Sequence, residues 1–217
     1  MLTDHWPLAG LSVRTPRLEL RLPTEPELAE LADVAARGVV VPGTRPFRSD
    51  WAYETPVERA RSVLRAHWRS QADWAPDAWA LPLVVFDDGR PVGVQSLRAG
   101  DFAIRREILS GSWLGIDHHG RGLGTEARAA MLHLAFAGLG TESAISASFA
   151  DNAASIAVSR KLGYLPDGVE RDNRHGEFAL TRRFRLDRAD WEPTRRADIG
   201  LAGLAPCAEL FGLPAAA

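Results

Sequence analysis

Apolar residues in the first third of the chain follow two different periods. From Leu11 to Leu22 they alternate with polar ones, so Leu18, Leu20 and Leu22 share one face, which predicts a strand. After Thr24 the period becomes helical, with Leu28, Leu31 and Val34 on one stripe and Glu27 completing a capping box. Thr55-Pro56-Val57-Glu58 repeats that signal with proline at the first helical position, and predicts a helix to about Ser70. Ala78–Phe86 and Pro91–Leu97 read as strands joined by the hairpin turn Asp87-Asp88-Gly89-Arg90. A third strand is expected from about Asp101 to Ile116, with a bulge at Gly111. The helical stripe Ala127, Met131, Leu134 and Ala135 predicts a helix from about Gly124 to Ala137, followed by a strand at Ala144–Phe149. Two more strands are expected, around Gly168–Asp172 and Phe178–Leu186.

Two segments stand outside this pattern. Val41 to Trp51, between the first two helices, is a loop rich in proline and aromatics, of a length that often carries function. The tail after Glu192 holds Leu201, Leu204, Leu210, Phe211 and Leu213, which need cover. The expected organisation is one domain over residues 1–192, with a tail over 193–217 packed on that domain or at a homodimer interface.

Composition narrows the classes. Hydrophobic residues make up 46% and charged residues 25% of 217 positions, enough for one domain with a real core. A net charge of −2 gives no reason to expect nucleic acid or a membrane surface as partner. The chain has no apolar run long enough to span a bilayer and no basic-then-apolar N-terminus, so the cytoplasm is the expected compartment. With one cysteine, Cys207, there is no internal disulfide and no cysteine metal cluster. His118 and His119 are adjacent and rarely aim at one ion, so no metal is expected.

The densest chemical signal is His119-Gly120-Arg121-Gly122-Leu123-Gly124-Thr125-Glu126-Ala127. Three alternating glycines between an apolar strand and a run of helix formers make a tight turn into a helix, whose first amides are unpaired and carry the positive end of the dipole. That is a cradle for a pyrophosphate. It is not a P-loop, because no lysine follows Gly124, and it is not a dinucleotide fingerprint, because Thr125 stands where the third glycine should be. A nucleotide-binding oxidoreductase is disfavoured for that reason.

A second motif, Asp151-Asn152-Ala153-Ala154-Ser155 through Lys161-Leu162-Gly163-Tyr164, opens on helix-capping residues and closes on a glycine stop, with Asn152 and Ser155 on one exposed turn. Together the two motifs resemble the GCN5-related N-acetyltransferase (GNAT) family, over about Leu11 to Trp191. The Thr125-Glu126-Ala127 extension and the Asn-x-x-Ser form resemble the branch of ribosomal-protein N-terminal acetyltransferases. The resemblance implies an α/β fold with a mixed, mostly antiparallel, twisted sheet of about seven strands, splayed where acyl-coenzyme A binds and flanked by helices.

It also implies a site. His119, in place of the usual Gln or Arg, with Gly120, Arg121, Gly122, Leu123, Gly124 and Thr125, would hold the pyrophosphate of coenzyme A. Leu114 and Ile116 would offer backbone contacts to pantetheine, on a strand that Gly111 and Gly115 allow to distort. Asn152 would hold the pantetheine amides, and Ser155 would deliver a proton to the leaving sulfur. Tyr164 is a second acid or a core aromatic. The family's usual glutamate base falls at Leu109, so Glu107, two residues earlier on the same face, is the candidate base, with a water chain as the alternative. The cosubstrate would be acetyl-CoA or another acyl-CoA such as succinyl-CoA, transferred directly in a ternary complex to a small-molecule or protein amine. Trp51, Trp74 and Trp79 either line the amine site or pack as core or lid aromatics, and Arg45 or Arg48 would pair with a second carboxylate on the acyl group. The missing glutamate leaves open a non-catalytic acyl-CoA-binding regulatory protein.

Overall fold

The structure, a computed structural model, describes residues 1–214. In chain order the elements are α1 (Leu2–His5), β1 (Ser12–Arg14), β2 (Leu18–Arg21), α2 (Glu25–Arg37), α3 (Pro56–Ala72), β3 (Ala78–Asp87), β4 (Arg90–Gly100), α4 (Phe102–Arg105), β5 (Glu107–Leu114), α5 (Leu123–His133), β6 (Ser143–Phe149), α6 (Ala153–Lys161), β7 (Leu165–Arg174), β8 (Glu177–Asp187), α7 (Arg188–Trp191) and β9 (Gly200–Ala202). All nine strands join one sheet in the order β7-β8-β6-β5-β4-β3-β2-β1-β9. Every pair is antiparallel except β5–β6, whose parallel pairing needs a crossover, which α5 supplies.

The sheet is covered on both faces. Trp79, Leu81, Leu83 and Val85 of β3 face one core with α5 and the tail, while Val84 and Phe86 face a second core under α2 and α3. α5 packs closely because its buried face includes Ala127 and Ala130 between Leu123, Met131 and Leu132. The β3–β4 hairpin turns on Asp88 and Gly89, both at positive φ, as a two-residue turn requires. Among the described residues no helix is long and apolar enough to cross a membrane.

The sheet departs from the seven expected strands in three places. The segment from Leu11 to Leu22 is a hairpin, β1 and β2, because Thr15 Oγ1 accepts the Leu18 N–H and folds the chain back at Pro16. The tail adds β9 beside β1, then buries Cys207 and Phe211 in the core. The segment expected as strand from Asp101 begins instead with α4, bracketed by Asp101 and Arg106 in left-handed conformations. Gly111 carries no bulge, since β4 and β5 pair in unbroken register from Leu109 to Leu114.

α2 starts as its capping signal predicts, with the Thr24 N–H donating to Glu27 Oε2 at 2.8 Å. Arg59 of α3 donates to the carbonyls of Ala35 and Ala36, which closes the other end of α2. Thr55 Oγ1 accepts from the Glu58 N–H at the start of α3, while the Glu58 carboxylate turns to Arg61.

The Arg21 guanidinium grips Glu27 through two hydrogen bonds of 2.6 and 2.8 Å and holds its carboxyl down at about 2, against 4.5 when free. A carboxyl depressed on folding stabilises the fold above its unfolded value and loses that contribution as pH falls through the folded one. The Glu27→Gln variant should therefore be less stable than the parent in denaturant at about pH 7, and the gap should close at about pH 2. An unchanged gap at both pH values would show that the pair contributes nothing.

Candidate active site

β5 and β6 pair only from Glu107 to Ser110 against Ser143 to Ser146. Beyond that point β5 runs on to Leu114 beside β4, and β6 runs on to Phe149 beside β8. The two arms thus form a fork whose facing main-chain groups lack strand partners, and buried main-chain groups seek partners. The expected splay is therefore present, and it arises by divergence of β5 from β6.

The glycine run sits at the open end of the fork. Gly120 and Gly122 have φ of +73° and +78°, so the chain turns there in a conformation that side chains disfavour. Gly122 caps α5 with no side-chain partner, which leaves the first amides of Leu123, Gly124 and Thr125 pointing outward. Glu126 braces the turn from behind. It accepts from Thr15 Oγ1 at 2.6 Å and Arg17 Nε at 2.7 Å, and Arg17 also reaches the Arg121 carbonyl. Burial works to raise the Glu126 pKa, but these donors outweigh it and hold the carboxyl below its ordinary value.

Some expected contacts are already taken. His119 Nε2 lies 3.0 Å from the Leu114 carbonyl and so must donate to it, which in the neutral ring leaves Nδ1 an acceptor with nothing to donate to a phosphate. The Ile116 N–H donates to the Gly38 carbonyl, so that amide is engaged. Arg121 is bound to Asp87 at 3.1 Å. Burial, with Arg121 beside it, pushes the His118 pKa down, and its Nδ1 faces Arg121 Nη1 at 3.4 Å.

Asn152 caps α6, its Oδ1 accepting the Ser155 N–H at 3.1 Å. Its amide nitrogen and the half-buried Ser155 hydroxyl have no hydrogen-bond partner among the described residues. Ser159, one turn further along the same face, is buried. Tyr164 lies in the core with its hydroxyl 3.5 Å from Ser110 Oγ, and burial pushes its phenol pKa up.

Behind the fork on this face lies Arg128 of α5, 5% exposed, a residue that the sequence reading passed over. Its guanidinium reaches Ser159 at 3.1 Å and Ser146 and Ser112 at 3.4 Å. Its Nε and the Oε1 of fully buried Gln95, which sits opposite Ser112 on β4, have no partner among the described residues.

The opposite face of the fork is aromatic. Trp113 of β5 packs on Trp51, and Trp51 on Phe47, each pair with ring centres 5.5 Å apart. The loop carrying Phe47 and Trp51 is clasped to the β7–β8 hairpin. Arg48 pairs with Asp172 at 2.7 Å, and His175, at the hairpin tip, contacts Asp50 Oδ1 at 2.5 Å and the Phe47 carbonyl at 3.0 Å. Both His175 partners are acceptors, so the ring fills both contacts only when it carries two protons. Thr181's hydroxyl, with Arg48, holds the Asp172 carboxyl below its ordinary value.

Other expected residues lie elsewhere. Glu107 is at the closed end of β5, engaged by Arg105 at 2.9 Å and Arg185 at 3.1 Å, and is not brought to the open part of the fork. Trp74 and Trp79 stack on each other and meet Phe211 edge-on, so they are core residues that anchor the tail rather than walls of the site. Arg48 is spent on Asp172, and Arg45 lies over the Tyr53 ring. Among the described residues no three metal-ligating side chains converge. A groove of 490 Å³ runs from Gly122 and Thr125 past Arg160 and Lys161 of α6 to Arg196, which is paired with Asp198 at 2.6 Å, so Arg160 and Lys161 supply its positive charge.

Comparison with known proteins agrees with this geometry. The family model described as acetyltransferase (GNAT) domain matches residues 17–165. The ribosomal-protein-S5-alanine acetyltransferase of Vibrio fischeri is similar in structure, at 17% identity over 83% of this chain and 98% of that one, TM-score 0.61. So is RimL, the ribosomal L7/L12 alpha-N-protein acetyltransferase in complex with coenzyme A, at 19% identity over 81% and 97%, TM-score 0.61. The microcin C7 self-immunity acetyltransferase MccE, in complex with acetyl-CoA and AMP, shares 18% identity over 79% and 93%, TM-score 0.59. At such identities these likenesses speak for the fold.

The clasp can be tested apart from the cradle. A His175→Phe variant keeps an aromatic ring against Tyr53 but removes both polar contacts of His175. Proteolytic nicking between residues 41 and 53 should accelerate several-fold, while coenzyme A affinity holds. Unaltered nicking would show that the clasp does not order the loop.

Proposed function

The chain belongs to the GNAT acetyltransferase family, and from that premise we propose that it moves an acyl group from coenzyme A directly onto an amine held in the fork between β5 and β6. The observation that carries this reading is the alignment of a phosphate cradle, an unpaired strand edge and an unbonded serine hydroxyl along one fork.

The amides of Leu123, Gly124 and Thr125 would hold the pyrophosphate, with the basic groove beside them taking the nucleotide end. Pantetheine would then run down the fork, its amides meeting Asn152. A main-chain N–H between Gly111 and Leu114 would polarise the thioester carbonyl. The amine, entering from the Trp113 face, attacks the carbonyl carbon. The carbon–sulfur bond breaks, and the sulfur takes the electron pair and a proton from Ser155, which recovers one from the attacking nitrogen through water.

One observation supports direct transfer. Cys207 is fully buried in the core, and burial pushes its thiol up to about 11, which makes it unsuited to carry an acyl group. With Glu107 engaged by two arginines, water serves as the base, at a cost of about 1.4 kcal/mol per pKa unit of the amine above ambient pH. The donor is acetyl-CoA or a longer acyl-CoA such as succinyl-CoA. The acceptor class favoured by the named relatives is a protein N-terminal amine, with small-molecule amines as the alternative.

Steady-state kinetics on Ser155→Ala test this reading. Turnover should fall about 10²-fold or more while coenzyme A affinity is kept, as for loss of a proton donor. Acyl-CoA binding with no turnover on any amine, in parent and variant alike, would instead identify a non-catalytic acyl-CoA-binding protein.

A further inference from the structure

The Arg128 guanidinium is buried with three serine hydroxyls and no carboxylate. Arg17, Arg21, Arg48 and Arg185 each pair with a side-chain carboxylate. Among the described residues Arg128 has only Ser112, Ser146 and Ser159, at 3.1 to 3.4 Å, and its Nε is unpartnered. A charge taken out of water without a counter-charge is among the costliest features a fold can hold, and arginine does not escape by losing its proton.

Its position gives that charge a use. Ser110 and Ser146 form the last rung joining β5 to β6, and Ser112 lies two residues past it on the same face of β5. Ser159 is one helical turn beyond Ser155. The guanidinium therefore sits where the fork closes, touching both arms and α6. The cradle is at the opposite, open end, so a thioester anchored there points its acyl end towards Arg128. Because the arginine donates to each serine oxygen, the hydroxyl protons are left to donate onward, and Ser112 is exposed. Ser146 and Ser159 lie 3.1 Å apart, so one hydroxyl donates to the other and the pair keeps one proton to donate onward. Two neutral groups complete the surroundings: the Tyr164 phenol, which burial keeps protonated, and the Gln95 amide.

We propose that Arg128, with Ser112, Ser146 and Ser159, is an anion-receiving site at the apex of the fork, built for a negative group at the acyl end of the thioester. This rests on the acyl-CoA reading above and deepens it. Two sources supply that chemistry: a carboxylate at the far end of the acyl chain, or the thiolate formed when the carbon–sulfur bond breaks.

Calorimetry with four probes distinguishes them in the parent protein, Arg128→Met and Arg128→Lys. Succinyl-CoA and butyryl-CoA have acyl chains of equal carbon number and differ in the terminal carboxylate. Coenzyme A and desulfo-coenzyme A differ in the thiol, compared across the pH range where a thiol ionises. The parent should bind succinyl-CoA at least about tenfold tighter than butyryl-CoA, or favour coenzyme A over desulfo-coenzyme A increasingly as pH rises. Arg128→Met should abolish that preference while desulfo-coenzyme A affinity stays within about twofold, and Arg128→Lys should restore part of it. A parent with neither preference, or a preference that survives in Arg128→Met, overturns the proposal. Should Arg128→Met fail to fold, the parent's own contrasts and Ser112→Ala decide it by the same criteria. Coenzyme A binding without charge discrimination overturns this inference alone, whereas failure to bind any coenzyme A species overturns the function on which it rests.

Discussion

The parting of β5 from β6 after the Ser110–Ser146 rung is the constraint around which the rest of the structure is arranged. A sheet gains from pairing its strands, and two neighbouring arms left apart forfeit several main-chain hydrogen bonds. The separation must be held by what lies on either side. One face has the Arg128 guanidinium spanning Ser112 on one arm, Ser146 on the other and Ser159 on α6. The other has the aromatic row Trp113, Trp51 and Phe47. α5, the crossover that parallel pairing demands, delivers the cradle to the mouth of the same fork. One topological feature thus places a phosphate cradle, a strand edge and the capped start of α6 together.

Charge is distributed to match. On the acceptor side Arg48 is neutralised by Asp172 and Arg174 by Asp151, while Arg45 lies over the Tyr53 ring. Around the cradle, Glu126 binds Arg17, and Asp87 binds Arg121, so these guanidinium groups fix the turn as much as they supply potential to a ligand. Arg160 and Lys161 line the neighbouring groove, where an anionic nucleotide end would meet them, and Arg196 beside them is held by Asp198. Arg128, at the end of the fork where the acyl group arrives, stands apart in having hydroxyls for partners.

Local signals in the sequence carried far. Thr24 with Glu27, Asp88-Gly89, and the glycines before Leu123 each encode a conformation through one or two residues, and each is found as read. The motif from Asp151 to Tyr164 forms a capped helix closed by Gly163. Features that depend on tertiary pairing were less legible. Pro16 and Thr15 turn one apparent strand into two, and the tail becomes β9 only because β1 offers it an edge. Glu107 shares the face of Leu109, but its position at the closed end of β5 is set by the β6 register, which no spacing reveals. Arg128 was legible in principle: it falls three residues before Met131 and seven before Ala135, a charge on the apolar stripe of a helix. His175 was not, because its partners Asp50 and Phe47 are more than a hundred positions away.

The central claim is that the open fork and the first turn of α5 together form one acyl-CoA site. Hydrogen exchange of backbone amides with and without coenzyme A tests it most directly, since the claim names the amides. Protection should rise at Gly111 to Leu114 and at Gly120 to Thr125 together, as unpaired donors gain partners. Protection confined to other segments, or at the cradle without the fork, would contradict the account.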